Sequence, residues 1–317
     1  MTEKITLGID TSNYTTSAAL CIGGRIVLNK KIPLPVKEGE RGLRQSDAVF
    51  AHVKNLPDVM LAVRDALDGK APDAVGVSVT PRDAEGSYMP CFLSGKAAAY
   101  SVTAVTGAPV YEFSHQAGHI AAALYSAGKT ELLFGNEPFA AFHVSGGTTE
   151  LTLVTPDNAY PRAVCIGGTS DLNAGQLIDR VGVMMGLKFP CGAALEHLAE
   201  ELDVSFSGVN VSVDGLNANL SGAENKARAL YEKTNDKAAT AAYTLDFVTK
   251  TLDMLTKNLR GEYPDIPVIY AGGVMSCKRM RKTLGKRENV FFSAPEFSAD
   301  NAAGIALIAY NRLTEGK

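Results

Sequence analysis

Three side chains of types that bind transition metals, His115, His119 and Asp300, are the first candidates for chemistry in this sequence. A helix is predicted over Ser114–Ser126, and residues four apart lie on one helical face, so the two imidazoles can bind a single metal ion. Asp300 begins the last predicted helix and is the candidate third ligand. Two histidines and one carboxylate leave coordination positions open for a substrate, as in iron and catalytic zinc sites. The alternative is a purely structural histidine pair.

Two glycine-containing turns are candidates for contact with phosphate or nucleotide. Ser145-Gly146-Gly147-Thr148 lies between two predicted strands. Its glycines allow close approach of an anion, and its hydroxyls add donors. Gly272-Gly273 follows a predicted strand and precedes a helix, which suits contact with a base or a sugar. The alternative is that both are plain connecting turns.

A strand followed by the polar pattern S-x-x-T-T occurs twice. The first copy follows the strand Ile5–Asp10 and starts at Ser12, and the second follows Phe139–Val144 and starts at Ser145. Strands and then alternating helices and strands follow in both halves, which predicts a duplicated two-lobed α/β fold. Asp10 and Ser12 are therefore additional site candidates. A chance similarity of two hairpins is the alternative.

Apolar periodicity predicts the elements that must position these residues. Strands are predicted at Ile5–Asp10, Ser17–Ile22, Arg25–Ile32, Ala74–Val79, Pro109–Phe113, Phe139–Val144, Leu151–Thr155, Tyr160–Ile166, Ile266–Tyr270 and Val290–Phe292, with a turn at Pro156–Asn158. Helices are predicted at Asp47–Asp68, within Cys91–Thr106, and at Ser114–Ser126, Asn173–Met185, Ala193–Leu202, Lys237–Leu259, Lys278–Leu284 and Asp300–Thr314. We expect lobes of residues 1–134 and 135–317, with the last helix packing back on the N-terminal lobe.

Composition narrows the class of protein. The chain has 317 residues, a formal net charge of -3 and a pI of about 6.0, so any contact with nucleic acid must be local or assisted by a partner. The 5 cysteines are an odd number without a C-x-x-C pair, which favours a reducing compartment over disulfides or a thiolate zinc site. There is no apolar segment long enough for a bilayer, so a cytoplasmic protein without membrane contact is expected.

Several segments, in order along nearly the whole chain, resemble motifs of the TsaD family (also called Gcp). SHQAGH resembles the family's N-H-x-x-G-H, and VSGGTTEL resembles V-S-G-G-H-T-x-L. The other similar segments are AHVKNLP, AGQLIDRVGVMMGLKFPCG, NLSGAENK, AGGV and SADNAAGIA. This family has a duplicated ribonuclease H-like fold of the actin and sugar-kinase class, which the resemblance therefore implies here.

The resemblance also implies an activity and its site. The family transfers a threonylcarbamoyl group from an acyl-adenylate to N6 of a tRNA adenosine next to the anticodon. His115, His119 and Asp300 would hold one iron or zinc ion. The site for an ATP- or AMP-type nucleotide, or for the acyl-adenylate, would be lined by Val144, Ser145, Gly146, Gly147, Thr148, Asp179, Gly192, Gly272, Gly273 and Cys277. Its partners would be an adenine nucleotide, tRNA, and either other proteins of the pathway or a second copy of the chain.

The chain departs from the family pattern at several of these positions. Thr148 replaces a histidine, Gln176 replaces an acid, and Cys277 replaces an asparagine. The segment Asn13–Thr15 lacks two acids, and Pro81–Pro90 replaces the family's G-P-G-L-x-G-A-L loop. Retained metal ligands beside altered neighbouring residues fit a diverged paralogue at least as well as the family's own transferase. Such a paralogue would carbamoylate another acceptor, or act as a non-catalytic nucleotide-binding regulatory partner.

Overall fold

The computed structural model describes residues 3–12, 14–35, 43–158, 160–202, 206, 208–298 and 302–315. Asn13 and Asp300 therefore lie outside the described residues. Contacts divide the chain into a first unit of Met1–Glu137, Thr155–Ala163 and Glu296–Lys317, and a second unit of Pro138–Val154 and Val164–Pro295.

Strands and helices alternate through most of the described chain. The strands are β1 Ile5–Asp10, β2 Thr15–Ile22, β3 Arg25–Pro33, β4 Ala74–Thr80, β5 Val110–Ser114, β6 Phe139–Val144, β7 Thr149–Asp157, β8 Tyr160–Thr169, β9 Ser212–Asp214, β10 Asn217–Asn219, β11 Val268–Ala271 and β12 Val290–Phe292. The helices are α1 Gln45–Leu67, α2 Phe92–Thr106, α3 His115–Ser126, α4 Glu131–Phe134, α5 Ala174–Met184, α6 Gly192–Glu200, α7 Ser221–Thr234, α8 Lys237–Glu262, α9 Lys278–Leu284, α10 Pro295–Ser298 and α11 Ala303–Glu315. Among the described residues, no helix has the length and apolar content needed to span a membrane.

The two sheets repeat one strand order. In the described part of the first unit the order is β3-β2-β1-β4-β5, with β1 antiparallel to β2 and parallel to β4. The second sheet has the order β12-β11-β6-β7-β8-β10-β9, with β6 antiparallel to β7 and parallel to β11. Its segment β8-β7-β6-β11-β12 therefore matches the first sheet strand for strand. The predicted duplicated α/β fold is confirmed.

Glycines let α11 lie directly against β1, β4 and α3 in the first unit. A Cβ at Gly8 of β1 would overlap the backbone of Ala302 and Ala306, and one at Gly76 of β4 would overlap Ile305. A Cβ at Gly304 would overlap the carbonyl oxygen of Gly118 on α3. A hydrogen bond also joins β1 to α11: the buried hydroxyl of Thr6 donates to the carbonyl oxygen of Ala306 at 2.8 Å.

Several details differ from the sequence-based prediction, including the short elements α4, β9, β10 and α10, which the pattern did not predict. β7 continues to Asp157, so the turn predicted at Pro156–Asn158 is wrong for its first two residues. α1 begins at Gln45, two residues before the predicted start. The pattern did not predict α7, whose fully buried residues are only the small Ala223 and Ala227, although Tyr231 also packs against the core.

The Gly304–Gly118 contact leads to a first prediction. Gly304→Ala adds a methyl group where a carbonyl oxygen already lies, so we expect it to lower the free energy of unfolding by about 1–3 kcal/mol. Urea unfolding followed by circular dichroism measures this change. The matched control is Gly222→Ala in α7, where an added Cβ meets open space and alanine favours the helix. Equal stability of the two variants would contradict the packing described.

Candidate active site

The histidine pair lies at the start of α3. Ser114 is the N-cap of this helix, and its hydroxyl oxygen accepts a hydrogen bond from the amide of Ala117 at 3.2 Å. His115 and His119 then lie one turn apart, with ring centroids separated by 4.3 Å in an edge-on arrangement. The predicted sharing of one helical face is thus observed.

A buried carboxylate at the end of β1 orients the first histidine. Asp10 Oδ2 lies 2.7 Å from Nδ1 of His115, and the Asp10 side chain is only 1% exposed. Its other oxygen, Oδ1, accepts from the amide of Ser12 at 2.7 Å and from the hydroxyl of Ser78 at 2.9 Å. Because a carboxylate only accepts, Nδ1 of His115 is the donor, and in the neutral imidazole this leaves on Nε2 the lone pair that a metal ion requires.

This donor set fits the metal that the resemblance implies. Two neighbouring imidazoles, one of which is hydrogen bonded to a carboxylate, are typical of sites that bind zinc or iron. No cluster of three or more metal-ligating side chains occurs within the described residues, and the expected third ligand, Asp300, lies outside them. The sequence identified Asp10 as a candidate site residue. It did not predict the contact between Asp10 and His115, because 105 positions separate the two residues.

Ser12 is the other candidate in this turn. Its side chain is 2% exposed, and its hydroxyl oxygen has no hydrogen-bond partner among the described residues. A buried hydroxyl of this kind is unusual and marks the turn after β1 as a place where a polar group can be received.

In the second unit, two segments pack against the Ser145–Thr148 turn. The hydroxyl oxygen of Ser145 accepts from the amides of Gly147 at 3.3 Å and Thr148 at 3.1 Å, which closes the turn. The amide of Gly175, at the start of α5, donates to the carbonyl oxygen of Ser145 at 3.1 Å. Gly272 has a φ of 99°, and a Cβ there would overlap the carbonyl group of Val144. The structure thus brings the two predicted glycine turns together.

Open space remains beside the two glycine turns. Added Cβ atoms at Gly146, Gly147 and Gly273 would meet nothing within 4 Å. Glycine is therefore required at Gly272 by backbone conformation and close packing. At the other three positions it leaves room beside backbone amides, which is the geometry that a phosphate or sugar can use.

The remaining predicted site residues have structural contacts. Asp179 Oδ1 accepts from the amide of Cys191 at 2.8 Å and so holds the entry to α6, whose first residue is Gly192. Burial, aided by the negative charge of Glu196, raises the pKa of the Cys277 thiol to about 12. Cys277 is thus a protonated, buried thiol and not a nucleophile at neutral pH.

Gln176 has acquired a local role. Its side-chain oxygen accepts from the backbone amide of Asn173 at 3.3 Å, and the pair forms a capping box at the start of α5. The residue that replaces the family's acid therefore stabilises the helix that supports the Ser145 turn.

Two α/β units with one repeated strand order define the class of actin-like and sugar-kinase-like folds. A full-length HypF structure in the phosphate- and nucleotide-bound form matches 98% of this chain and 47% of that chain, with a TM-score of 0.63 and 14% identity. The activator of 2-hydroxyisocaproyl-CoA dehydratase from Clostridium difficile, with bound ADPNP, matches with a TM-score of 0.54 and 13% identity, covering 98% and 96% of the two chains. These likenesses concern the fold.

The TsaD family model, described as tRNA N6-adenosine threonylcarbamoyltransferase, matches residues 37–307, and the chain belongs to this family of transferases. The relative from Ligilactobacillus salivarius is 29% identical over 336 residues, which covers 99% of this chain and 93% of the relative. The relative from Thermodesulfovibrio yellowstonii is 29% identical over 338 residues, covering 98% and 95%. Both are named tRNA N6-adenosine threonylcarbamoyltransferase.

The histidine pair leads to a second prediction. We expect one zinc or iron ion per chain in protein purified without chelator, and its loss in the double variant His115→Ala, His119→Ala, because two of the ligands are removed. Elemental analysis measures the stoichiometry. His197→Ala, at an exposed position of α6, is the control and should keep the metal. Full metal content in the double variant would exclude this site.

Proposed function

We propose that this chain transfers a threonylcarbamoyl group from an acyl-adenylate to N6 of a tRNA adenosine next to the anticodon. Membership of the TsaD family supports the reaction class. The single structural observation that carries the proposal is the pair His115 and His119 with Asp10 hydrogen bonded to His115 at 2.7 Å. Burying a carboxylate costs free energy unless it is paired, and here its partner is the imidazole of a candidate metal ligand.

His115, His119 and Asp300 would hold the metal ion, which when bound supplies Lewis-acid polarisation of a carbonyl or phosphoryl oxygen. The residues of the chain have the other tasks. Asp10 keeps the proton on Nδ1 of His115 and so keeps Nε2 available for the metal. The turn Ser145–Thr148, with Gly272 and Gly273, would receive the adenylate through backbone contacts.

In the transfer itself, the adenosine amine attacks the carbamoyl carbon of the adenylate. A carbon–nitrogen bond forms, the bond from that carbon to the phosphate oxygen breaks, and AMP leaves with the electron pair. The amine loses its proton to solvent. The chain contributes by positioning the two reactants, and a net charge of -3 means that tRNA contact is local or is shared with a partner, either another protein of the pathway or a second copy.

A second candidate function is supported by the residues of the site that differ from the family pattern. Gln176 is neutral where the family has an acid, and Cys277 is a buried thiol with a raised pKa where the family has an asparagine, so neither reproduces the family's group. A diverged paralogue that transfers a carbamoyl group to another acceptor, or a nucleotide-binding regulatory partner, would have this combination.

The test of the reaction is complementation of a cell depleted of its own TsaD, with mass spectrometry of the tRNA nucleosides. We expect the full chain to restore threonylcarbamoyladenosine, and His119→Ala to abolish it because a metal ligand is lost. The exposed variant His197→Ala is the control. Absence of the nucleoside in cells that contain the folded protein would reject the tRNA acceptor and favour the second candidate.

Nucleotide binding gives a separate prediction. We expect the protein to bind ATP, ADP or AMP more tightly than millimolar, and Gly146→Val to weaken that binding at least tenfold because its side chain fills the open space beside the turn. Calorimetry measures both affinities. Gly261→Val, where an added Cβ also meets open space, is the matched control. Unchanged affinity in Gly146→Val would remove this turn from the nucleotide site.

A further inference from the structure

The start of α3 is held by groups from three parts of the first unit. The first amides of a helix have no partner within the helix and must find one elsewhere. Here the amide of Ala117 donates to the Ser114 hydroxyl oxygen at 3.2 Å, and the amide of Gln116 donates to the carbonyl oxygen of Pro81 at 3.1 Å. The loop after β4 therefore covers the end of the helix that carries the histidines.

Tyr160, the first residue of β8, completes this arrangement. Its hydroxyl oxygen lies 3.1 Å from the hydroxyl of Ser114 and accepts from the Ser114 amide at 3.3 Å. The same hydroxyl lies 2.7 Å from each carboxylate oxygen of Asp83. The ring stacks on Phe113 with centroids 5.8 Å apart, and Tyr160 is only 8% exposed.

The direction of the hydrogen bonds follows from the inventory of donors. A phenol has one proton and a carboxylate only accepts, so Tyr160 donates to Asp83 and the Ser114 hydroxyl donates to Tyr160. The lone pair of Ser114 is then directed to the amide of Ala117. Burial raises the pKa of Tyr160 to about 12, so the phenol keeps its proton at neutral pH. The result is a single directed chain from the helix amide to the Asp83 carboxylate.

This chain ends one residue before a metal-binding side chain. Ser114 is adjacent to His115, and its extended backbone, with φ -81° and ψ 150°, sets the direction in which α3 leaves β5. Asp83 lies in Pro81–Pro90, the segment that replaces the family's glycine-rich loop. The substituted loop thus brings a carboxylate that the family pattern does not contain.

We propose that Tyr160 and Asp83 are positioning residues for the histidine pair: they hold the start of α3 in the geometry in which His115 and His119 bind one divalent transition cation. The proposal rests on the proposed metal site. Neither residue touches the cation; they act through Ser114. Loss of a hydrogen bond made directly to a ligand typically lowers metal affinity about 10- to 100-fold, and we expect the lower end of this range for residues that act through Ser114.

The experiment is titration of the metal-depleted full chain with Co²⁺, followed by its visible absorption. Tyr160→Phe keeps the ring on Phe113 and removes only the hydroxyl, and we expect Co²⁺ affinity to fall roughly tenfold with a shifted spectrum. Tyr100→Phe is the matched control, since Tyr100 donates to the carboxylate of Glu112 at 2.9 Å on the surface of the same unit. That variant should bind Co²⁺ as the unchanged protein does.

A second pair of variants separates positioning from general stability. Asp83 is exposed, so substitutions there should leave the fold intact. We expect Asp83→Ala to reproduce the loss of affinity and Asp83→Asn, which keeps an acceptor oxygen, to retain most of it. Adding Asp83→Ala to Tyr160→Phe should cause little further loss, because Tyr160→Phe already removes the bond between Tyr160 and Asp83.

The outcomes are distinguishable. If the unchanged protein binds no Co²⁺, the proposed metal site fails and this proposal fails with it. If it binds, and Tyr160→Phe and Asp83→Ala bind equally well, only the positioning role is overturned. If Tyr160→Phe does not fold, the comparison of Asp83→Ala with Asp83→Asn decides the question.

Discussion

The close approach of α11 to β1, β4 and α3 is the contact on which the candidate metal site depends. Glycine at Gly8, Gly76, Gly118 and Gly304 removes the side chains that would hold these backbones apart. Van der Waals contact and the bond from Thr6 to Ala306 then fix the last helix of the chain against its first strand. α3, the helix that carries the histidines, is part of this contact. It packs against α11 at Gly118 and is hydrogen bonded to the end of β1 through Asp10.

The second constraint is a buried negative charge at the end of β1. A carboxylate that is 1% exposed must be satisfied by donors, and Asp10 has a backbone amide, a serine hydroxyl and an imidazole around it. Each of these donors comes from a different element, so the charge ties the turn after β1 to β4 and α3. The imidazole is oriented by the same bonds that make the burial tolerable.

Duplication places two different chemistries at equivalent positions. The turns after β1 and β6 follow the matching central strands of the two sheets, where ligands of α/β folds commonly bind. In the first unit this turn surrounds the buried Asp10 beside His115. In the second it is a glycine turn with open space beside Gly146 and Gly147. The same strand-turn-strand pattern thus has a proposed metal-binding role in one unit and a proposed phosphate-binding role in the other.

Local sequence patterns were sufficient to predict most of the strands and helices and the class of fold. Alternation and helical spacing predicted the central strands, the helix of His115 and His119, and the repeated S-x-x-T-T turns, because period and turn chemistry are properties of neighbouring residues. They did not predict α7, whose fully buried residues are only the small Ala223 and Ala227. The contacts of Asp10 with His115, and of Asp83 with Tyr160, join residues 105 and 77 positions apart. The packing of elements that are distant in the sequence brings such residues together, so tertiary structure alone decided which carboxylate contacts the histidine and which tyrosine contacts the start of its helix.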